Sequence, residues 1–194
     1  MGKKLPNVEL SQQQLEQEIK RVHFRRRRYA AARTVFYILL MIAAVAVLVT
    51  VLWVPALLIM GDSMAPLLES GEGVLAIRTQ RVIPGDIIVF QREDRIFVKR
   101  VIADGGDWID IDGAGGVSVN GERVNETYLK QAVLEPNDLT YPYLVPDGCV
   151  FVMGDNREKS IDSRLSKIGC ISNSQIIGKV CLRIWPLYRL EYLG

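Results

Sequence analysis

The sequence predicts a mostly β protein in which one N-terminal transmembrane helix precedes an antiparallel β-sheet domain with an inserted β subdomain. Residues 35–54 are twenty consecutive positions without a charge. After Pro55 the chain changes to short Val- and Ile-rich runs bounded by Gly, Pro, Asp and Asn, which is typical of strands joined by turns. Residues 104–148 are richer in turn-forming residues, which indicates a subdomain inserted between two halves of a core sheet.

The apolar segment is long enough to cross a membrane. Twenty helical residues at a rise of about 1.5 Å each span about 30 Å, the thickness of the hydrocarbon core of a bilayer. Pro55 is expected to end this helix because proline removes a backbone donor. The predicted division of the chain is a basic cytoplasmic tail, a transmembrane helix and a β-rich extracytoplasmic domain: 1–33, 34–54 and 55–194, with 104–148 as the inserted subdomain.

Charge is unevenly distributed about this helix. Residues 1–34 carry nine Lys or Arg and three Glu, a net charge of +6, whereas the remaining residues carry 15 basic and 19 acidic side chains, a net charge of −4. Because Lys and Arg flanking a span resist translocation, the N-terminus is predicted to stay in the cytoplasm and the large domain to be exported.

The N-terminal region has two alternative interpretations. The four arginines at 25–28 could form a nucleic-acid patch, but they directly precede the apolar helix and no base-reading motif accompanies them. We therefore expect no nucleic-acid partner. A cleaved export signal has an apolar region of only about 7–15 residues, so an uncleaved anchor is favoured.

The remaining elements follow from local patterns. Ser11 and Gln14 form a capping-box pattern that predicts a short polar helix reaching Arg28. The pair Asn120 and Gly121 predicts a hairpin turn inside the insertion. The predicted strands lie near 56–60, 73–78, 86–91, 96–102, 108–112, 117–119, 150–153 and 178–184.

The histidine and cysteine content limits the available chemistry. The only histidine, His23, lies in the predicted tail, so the exported domain has no imidazole for a Ser-His pair or a metal centre. Cys149, Cys170 and Cys181 are too few and too scattered for a zinc site or a disulfide framework. Buried thiols are the simpler expectation, while a bridge between Cys170 and Cys181 stays open. We expect neither a metal nor an organic cofactor.

Two residues in this histidine-free domain suggest nucleophilic chemistry. Ser63 stands among turn-forming residues directly after the anchor. Strand alternation over 96–102 places Lys99 on one face with Phe97 and Val101. A protective edge-strand lysine is the alternative reading. Because burial lowers a lysine pKa by several units, a neutral amine here could act as the general base for Ser63 in a Ser-Lys dyad.

A dense polar segment, 154–164, follows the apolar strand predicted at 150–153. It could be a surface loop with Asx turns. The alternative is that its hydroxyls and carboxylates orient the lysine and neutralise Arg100 and Arg164, since buried cations need partners.

Four segments in order, 61–68, 84–90, 98–102 and 154–164, resemble the sequence boxes of type I (leader) signal peptidases, most closely the short bacterial form with a single anchor. The resemblance implies that Ser63 is the acyl-forming nucleophile, with its backbone N–H in the oxyanion hole, and that Lys99 is the general base. Gly61 stands where some members have a serine, so a second oxyanion donor would come from backbone or water. The implied supporting residues are Ser160, which hydrogen-bonds the lysine, and the charged residues Arg100, Asp155, Asp162 and Arg164.

The function that the resemblance implies is a membrane-bound serine endopeptidase that removes signal peptides from exported preproteins outside the cytoplasmic membrane. Its expected partners are signal peptides and the lipid bilayer, and the export machinery is a further candidate. One alternative is a non-catalytic assembly factor for surface or pilus proteins that keeps the fold. A second is a self-cleaving repressor-type Ser-Lys protease, against which the anchor and the lack of a DNA-binding domain both count.

Overall fold

The computed structural model describes residues 12–129, 131–134 and 136–193, so the expected cap at Ser11 lies outside the described residues. The chain forms two compact units that divide between Val49 and Thr50. The first unit is helical and the second is built of antiparallel sheet, which confirms the predicted fold class.

A single helix, α1, runs from Gln12 to Trp53, where the sequence predicted a short polar helix ending at Arg28 and a separate anchor. Nothing between Arg28 and Thr34 interrupts a helix, because this stretch has no Gly or Pro and contains three consecutive alanines, the strongest helix formers. Within α1 the stretch Phe24–Val49 contains an 18-residue window with a mean hydropathy of 2.4, and it is long and apolar enough to cross a membrane.

Among the described residues, twelve strands form the second unit. In chain order they are β1 (Ala56–Leu58), β2 (Gly73–Ile77), β3 (Ile87–Arg92), β4 (Arg95–Ala103), β5 (Trp108–Ile111), β6 (Val117–Val119), β7 (Glu122–Arg123), β8 (Tyr143–Leu144), β9 (Cys149–Met153), β10 (Ile171–Ser172), β11 (Ile176–Trp185) and β12 (Glu191–Tyr192). Each of the eight predicted strands has a counterpart. The four that the sequence did not predict, β7, β8, β10 and β12, are two residues long and exist only through pairing with longer strands.

The strands make two antiparallel sheets. The larger has the order β1-β2-β11-β3-β4-β9-β10, with β12 beside β11. The smaller has the order β7-β6-β5-β8, and its residues fall within the 104–148 range predicted for an insertion. The smaller sheet packs on the larger through Ile109 and Val117, which share a buried cluster with Phe151 and Met153 of β9.

The three cysteines are free thiols in this structure. Cys170 Sγ lies 3.6 Å from the Tyr143 hydroxyl, and Cys181 Sγ lies 3.4 Å from the Leu75 carbonyl oxygen. Cys170 precedes β10 whereas Cys181 lies in β11, four strands away in the sheet order. The bridge that the sequence left open between them is therefore absent here.

Candidate active site

Ser63 lies in a tight turn that follows β1. Gly61 has a φ of +87°, a backbone conformation that favours glycine, and it lets the chain reverse two residues before the serine. Met64 and Leu68 are buried in the core, and the Leu68 N–H donates to the Met64 carbonyl at 2.9 Å. Burial on one side of the turn leaves the half-buried Ser63 side chain on the other.

The loop that carries this turn is closed at its base. The Ile59 N–H donates to the Glu72 carbonyl at 2.8 Å, and the Gly71 N–H donates to the Ile59 carbonyl at 2.9 Å. Arg183 of β11 reaches into the loop, where its Nη1 donates to the Leu67 carbonyl at 2.7 Å and to the Glu72 carboxylate at 3.0 Å. Sequence reasoning missed this buried ion pair, whose partners are 111 residues apart.

Lys99 of β4 meets Ser63 at the centre of the site. Its Nζ lies 2.7 Å from Ser63 Oγ and 3.1 Å from the Val98 carbonyl oxygen, and only 3% of the residue is exposed. The Phe97 ring centroid is 5.8 Å from Nζ. Burial lowers the pKa of Lys99 from 10.5 to about 8, although the carboxylates of Asp162 and Asp155 raise it. An amine with this pKa is partly neutral near neutral pH and can accept a proton from Ser63.

The polar segment 154–164 wraps around the Ser63 backbone. The Asn156 N–H donates to the Ser63 carbonyl at 3.0 Å, and the Gly154 N–H donates to the Asp162 carboxylate at 3.0 Å. A Cβ atom on Gly154 would lie 2.2 Å from Ser160 Oγ and 2.5 Å from the Ser63 carbonyl oxygen, far inside van der Waals contact. Only glycine allows this segment to approach Ser63 so closely, and the segment is largely buried instead of forming a surface loop.

The hydrogen bonding of Ser160 differs from the expectation. Its side chain is fully buried beside Gly154, but among the described residues its Oγ has no hydrogen-bond partner. The expected hydrogen bond between Ser160 and Lys99 is therefore absent from this structure. Lys99 Nζ instead donates hydrogen bonds to Ser63 Oγ and to the carbonyl oxygen of Val98, the preceding residue of β4.

The predicted supporting charges form two buried pairs behind the lysine. Arg100 Nε and Nη2 donate to the two oxygens of Asp155 at 2.8 and 2.7 Å. Arg164 Nε and Nη2 donate to Asp162 at 2.9 and 3.1 Å, and both side chains of this second pair are fully buried. Each carboxylate near Lys99 is thus neutralised by its own arginine.

Three further residues join these pairs and were not singled out from the sequence. Arg157, 1% exposed, forms an ion pair with Glu126 and donates from Nε to the Gly154 carbonyl at 3.2 Å. The Tyr128 ring covers the Arg100 guanidinium, with 4.1 Å between the guanidinium carbon and the ring centroid. Glu126 and Tyr128 belong to the predicted insertion, and no local pattern there indicates a role in a distant site.

A cleft of about 500 Å³ opens beside Ser63 and Lys99, lined by residues 57–60, 63, 64 and 94–99. Among the described residues, β1 pairs only with β2, and β4 pairs with β9 only from Arg100 onward. The cleft therefore lies between two strand segments whose outer edges have no strand partner. Such edges present free backbone donors and acceptors to an extended peptide.

The described part of the chain contains no group of three His, Cys, Asp or Glu side chains placed to hold a metal ion. A second cavity of about 540 Å³ lies in the smaller-sheet region, lined by Gly116 and by residues between 123 and 132. It contains neither Ser63 nor Lys99. Ser63 and Lys99 themselves give the site a hydroxyl beside a buried amine.

The buried amine carries a stability cost that can be measured. Because the pKa of Lys99 is lower in the folded chain than in the unfolded chain, wild-type stability is expected to rise as pH increases from about 8 to 10.5. We expect Lys99→Met to raise the free energy of unfolding by about 1–3 kcal/mol at pH 7, with a smaller difference at pH 10. Urea unfolding of the detergent-extracted protein at both pH values tests this, and a less stable variant at pH 7 would contradict it.

Comparison with protein families matches residues 31–185 to the model of signal peptidase, peptidase S26. A signal peptidase I of Bacillus caldolyticus is 39% identical over 154 residues, which cover 68% of this chain and 80% of that protein. A signal peptidase IB of Staphylococcus aureus strain MRSA252 is 32% identical over 154 residues, covering 69% of this chain and 79% of its own length.

Among solved structures, a signal peptidase I from Enterococcus faecalis V583 superimposes with a TM-score of 0.42 and 27% sequence identity. The superposition covers 51% of this chain and 96% of that chain.

Proposed function

This chain belongs to the signal peptidase family, peptidase S26, and from this premise we propose that its Ser63 and Lys99 form the catalytic pair of a membrane-anchored serine endopeptidase that cleaves signal peptides. One observation supports the assignment of the pair: Lys99 Nζ lies 2.7 Å from Ser63 Oγ, and the Lys99 side chain is buried away from water. Substrates of this activity are proteins that bear signal peptides. The relatives are peptidases, and nothing in the comparisons supports the alternative of a non-catalytic assembly factor.

The proposed reaction begins when neutral Lys99 accepts the Ser63 hydroxyl proton as Oγ attacks the carbonyl carbon before the scissile bond. The Ser63 backbone N–H contributes to stabilising the oxyanion, and Gly61 offers no side-chain hydroxyl for this purpose. The C–N bond then breaks, and Lys99 returns the proton to the departing amine. Water then attacks the acyl carbon of the acyl-enzyme, with Lys99 again as the base. The ester bond to Ser63 Oγ breaks, Lys99 returns the proton to Oγ, and the signal peptide leaves with a new carboxylate.

The two pairs behind the lysine are proposed to support this step. Arg100 with Asp155, and Arg164 with Asp162, keep carboxylate charge near Lys99 largely neutralised, so burial can dominate its pKa. Ser160 remains a proposed supporting residue. Its buried Oγ lies in the same cluster and can bind a water or a repositioned amine.

The substrate is proposed to bind as an extended strand between the free edges of β1 and β4. Side chains of an extended peptide alternate, so the first and third residues before the cut face the same wall of the cleft. Ile59 and Val98 line this cleft. The resemblance to signal peptidases implies that small residues, above all alanine, are accepted at both positions.

The activity is tested by incubating the detergent-extracted protein with a labelled preprotein and sequencing the N-terminus of the product. We expect a single cut after an Ala-x-Ala sequence. A matched preprotein with phenylalanine at the first position before the cut should be cleaved at least about tenfold more slowly, because the resemblance to signal peptidases implies that only small side chains are accepted there. Equal cleavage of the two preproteins would defeat the specificity assignment.

The proposed topology places residues 1–33 in the cytoplasm, 34–54 in the membrane and the domain from residue 55 outside, with 104–148 as an insertion in that domain. The net charge of +6 before the helix and −4 beyond it supports this orientation. Only nine residues separate Trp53 from Ser63, so tethering would hold the site near the bilayer, where the cleavage point of an exported protein emerges. The export machinery remains a candidate partner on the same grounds.

Protease added to intact cells without their wall is expected to digest the domain and to spare the basic N-terminal segment. An epitope tag at each end of the chain reports which part survives. Permeabilised cells, in which both tags should disappear, provide the control. Survival of the domain in intact cells would reverse the orientation.

A further inference from the structure

One segment of the smaller-sheet region contacts all three arginines that lie behind Lys99. This segment, residues 124–129 and 131–134, is called here the arginine-contact segment. Its contacts use different chemistry for each arginine: the Glu126 carboxylate binds Arg157, the Tyr128 ring covers Arg100, and the carbonyls of Val133 and Leu134 accept from Arg164 Nη1 at 3.1 and 3.3 Å. The arginine-contact segment contains no catalytic motif, yet it contacts each of the arginines that surround the site.

The contact with Arg100 is the most direct of the three. The Arg100 guanidinium donates to Asp155 through Nε and Nη2 at 2.8 and 2.7 Å, and through Nη1 to the Gly85 carbonyl at 2.8 Å. The Tyr128 ring covers its face at 4.1 Å. The Tyr128 hydroxyl donates to Glu126 at 3.1 Å, which holds the ring in place. A guanidinium bonded at its edge and covered on its face is fixed in one orientation.

The orientation of Arg100 matters because this arginine neutralises the Asp155 carboxylate. Asp155 and Asp162 both favour the charged form of Lys99, against the effect of burial. A carboxylate paired in bidentate fashion exerts a weaker field on a third group than an unpaired one. The charged groups that face the lysine region come from its own strand, from the 154–164 segment and from the cleft wall: Arg100, Asp155, Asp162, Asp94 and Arg95.

We propose that Tyr128 is a positioning residue for the Ser63–Lys99 pair, whose ring holds Arg100 on Asp155 and thereby keeps Lys99 able to accept a proton at neutral pH. This inference rests on the proposed role of Lys99 as the general base. Tyr128 itself touches neither reacting atom. Loss of the ring would free Arg100 to leave Asp155, and the exposed carboxylate would then stabilise the Lys99 ammonium.

A merely structural tyrosine would behave differently. Removing its packing would lower stability and would reduce activity by a similar factor at every pH. A positioning role instead moves the pH at which activity rises, with KM nearly unchanged, because only the protonation of the base is altered. The pH midpoint of kcat/KM therefore separates the two roles.

The test replaces Tyr128 in the full-length protein with phenylalanine, 4-fluoro-, 3,5-difluoro- and 3,4,5-trifluorophenylalanine. Phenylalanine, which lacks the hydroxyl bonded to Glu126, is the reference of the series. The fluorinated rings have nearly its shape, while each fluorine weakens the attraction of the ring face for a cation. We expect the midpoint to rise stepwise by about 0.5–1 pH unit across the series, with a three- to tenfold fall in kcat/KM at pH 7 that disappears near pH 10. The same series at Tyr143, which packs on Phe151 with a centroid distance of 6.0 Å, is the matched control and should leave the midpoint unchanged.

A second readout follows Lys99 without using activity. Labelling of the Lys99 amine by acetic anhydride, quantified by mass spectrometry at each pH, should give a midpoint that rises in parallel with the rate. Constant midpoints in both measurements across the Tyr128 series would overturn the positioning role and leave the proposed function intact. A labelling midpoint that rises while the rate profile stays fixed would overturn Lys99 as the general base, and the catalytic part of this inference with it.

Discussion

Lys99→Arg is expected to lower signal-peptide cleavage by a factor of about 10³ or more while the protein remains folded. Arginine keeps the positive charge and the approximate length of lysine, but its pKa lies above about 12, so it cannot take the Ser63 proton. Lys99→Ala should be equally inactive because it removes the base altogether. Ser160→Ala should be impaired to a smaller degree, since Ser160 Oγ makes no hydrogen bond to Lys99 in this structure.

The measurement is cleavage of a preprotein by the purified variants from pH 6 to pH 10, with circular dichroism to check the fold. The wild-type rate should rise with pH around the Lys99 pKa of about 8 and then level off. Ser63→Ala serves as the inactive reference. Substantial cleavage by Lys99→Arg would mean that the base lies elsewhere and that Lys99 is a structural cation.

Gly154→Ala is expected to lower activity by at least about 100-fold and the free energy of unfolding by about 2–4 kcal/mol. The new methyl group would lie 2.2 Å from Ser160 Oγ and 2.5 Å from the Ser63 carbonyl oxygen, so the segment after β9 must move away from Ser63. That movement would also disturb the hydrogen bond from Asn156 to Ser63 and the one from Gly154 to Asp162. Both the nucleophile and the charge balance of the base would change.

Gly113→Ala is the matched control for this variant. A Cβ at Gly113 meets no atom within 4 Å, so the same substitution should leave both activity and stability nearly unchanged. The two variants are compared by preprotein cleavage at pH 8 and by urea unfolding. Wild-type activity in Gly154→Ala would show that the close approach of this segment to Ser63 is not required.

The two variants act on different parts of one arrangement. Lys99 is the proposed base, and Gly154 lets the polar segment come close enough to Ser63 to bind its carbonyl oxygen and to bring Asp162 near the amine. The higher stability expected for Lys99→Met has the same origin, because an amine buried for catalysis costs free energy at neutral pH. The site thus gives up stability to keep a usable base.

Features that depend on local patterns could be predicted from the amino-acid sequence. An uncharged run of twenty residues predicted the apolar helix. In the folded chain that helix begins earlier, at Gln12, because the alanines after Arg28 join the polar and apolar segments into one continuous helix. Alternating Val- and Ile-rich runs predicted the eight longer strands to within two residues at each end. The absence of histidine beyond His23, together with an apolar strand that carries a lysine, indicated Ser63 and Lys99 before any geometry was known.

Which distant residues meet behind that pair depends on how the folded chain packs. The two-residue strands β7, β8, β10 and β12 have no pattern of their own and form because a longer strand offers free backbone groups. The contacts of Glu126 with Arg157 and of Tyr128 with Arg100 join residues 31 and 28 positions apart in the chain. The burial that lowers the pKa of Lys99 is likewise a property of packing, because the desolvation of an amine depends on every chain segment around it and is encoded in no single one.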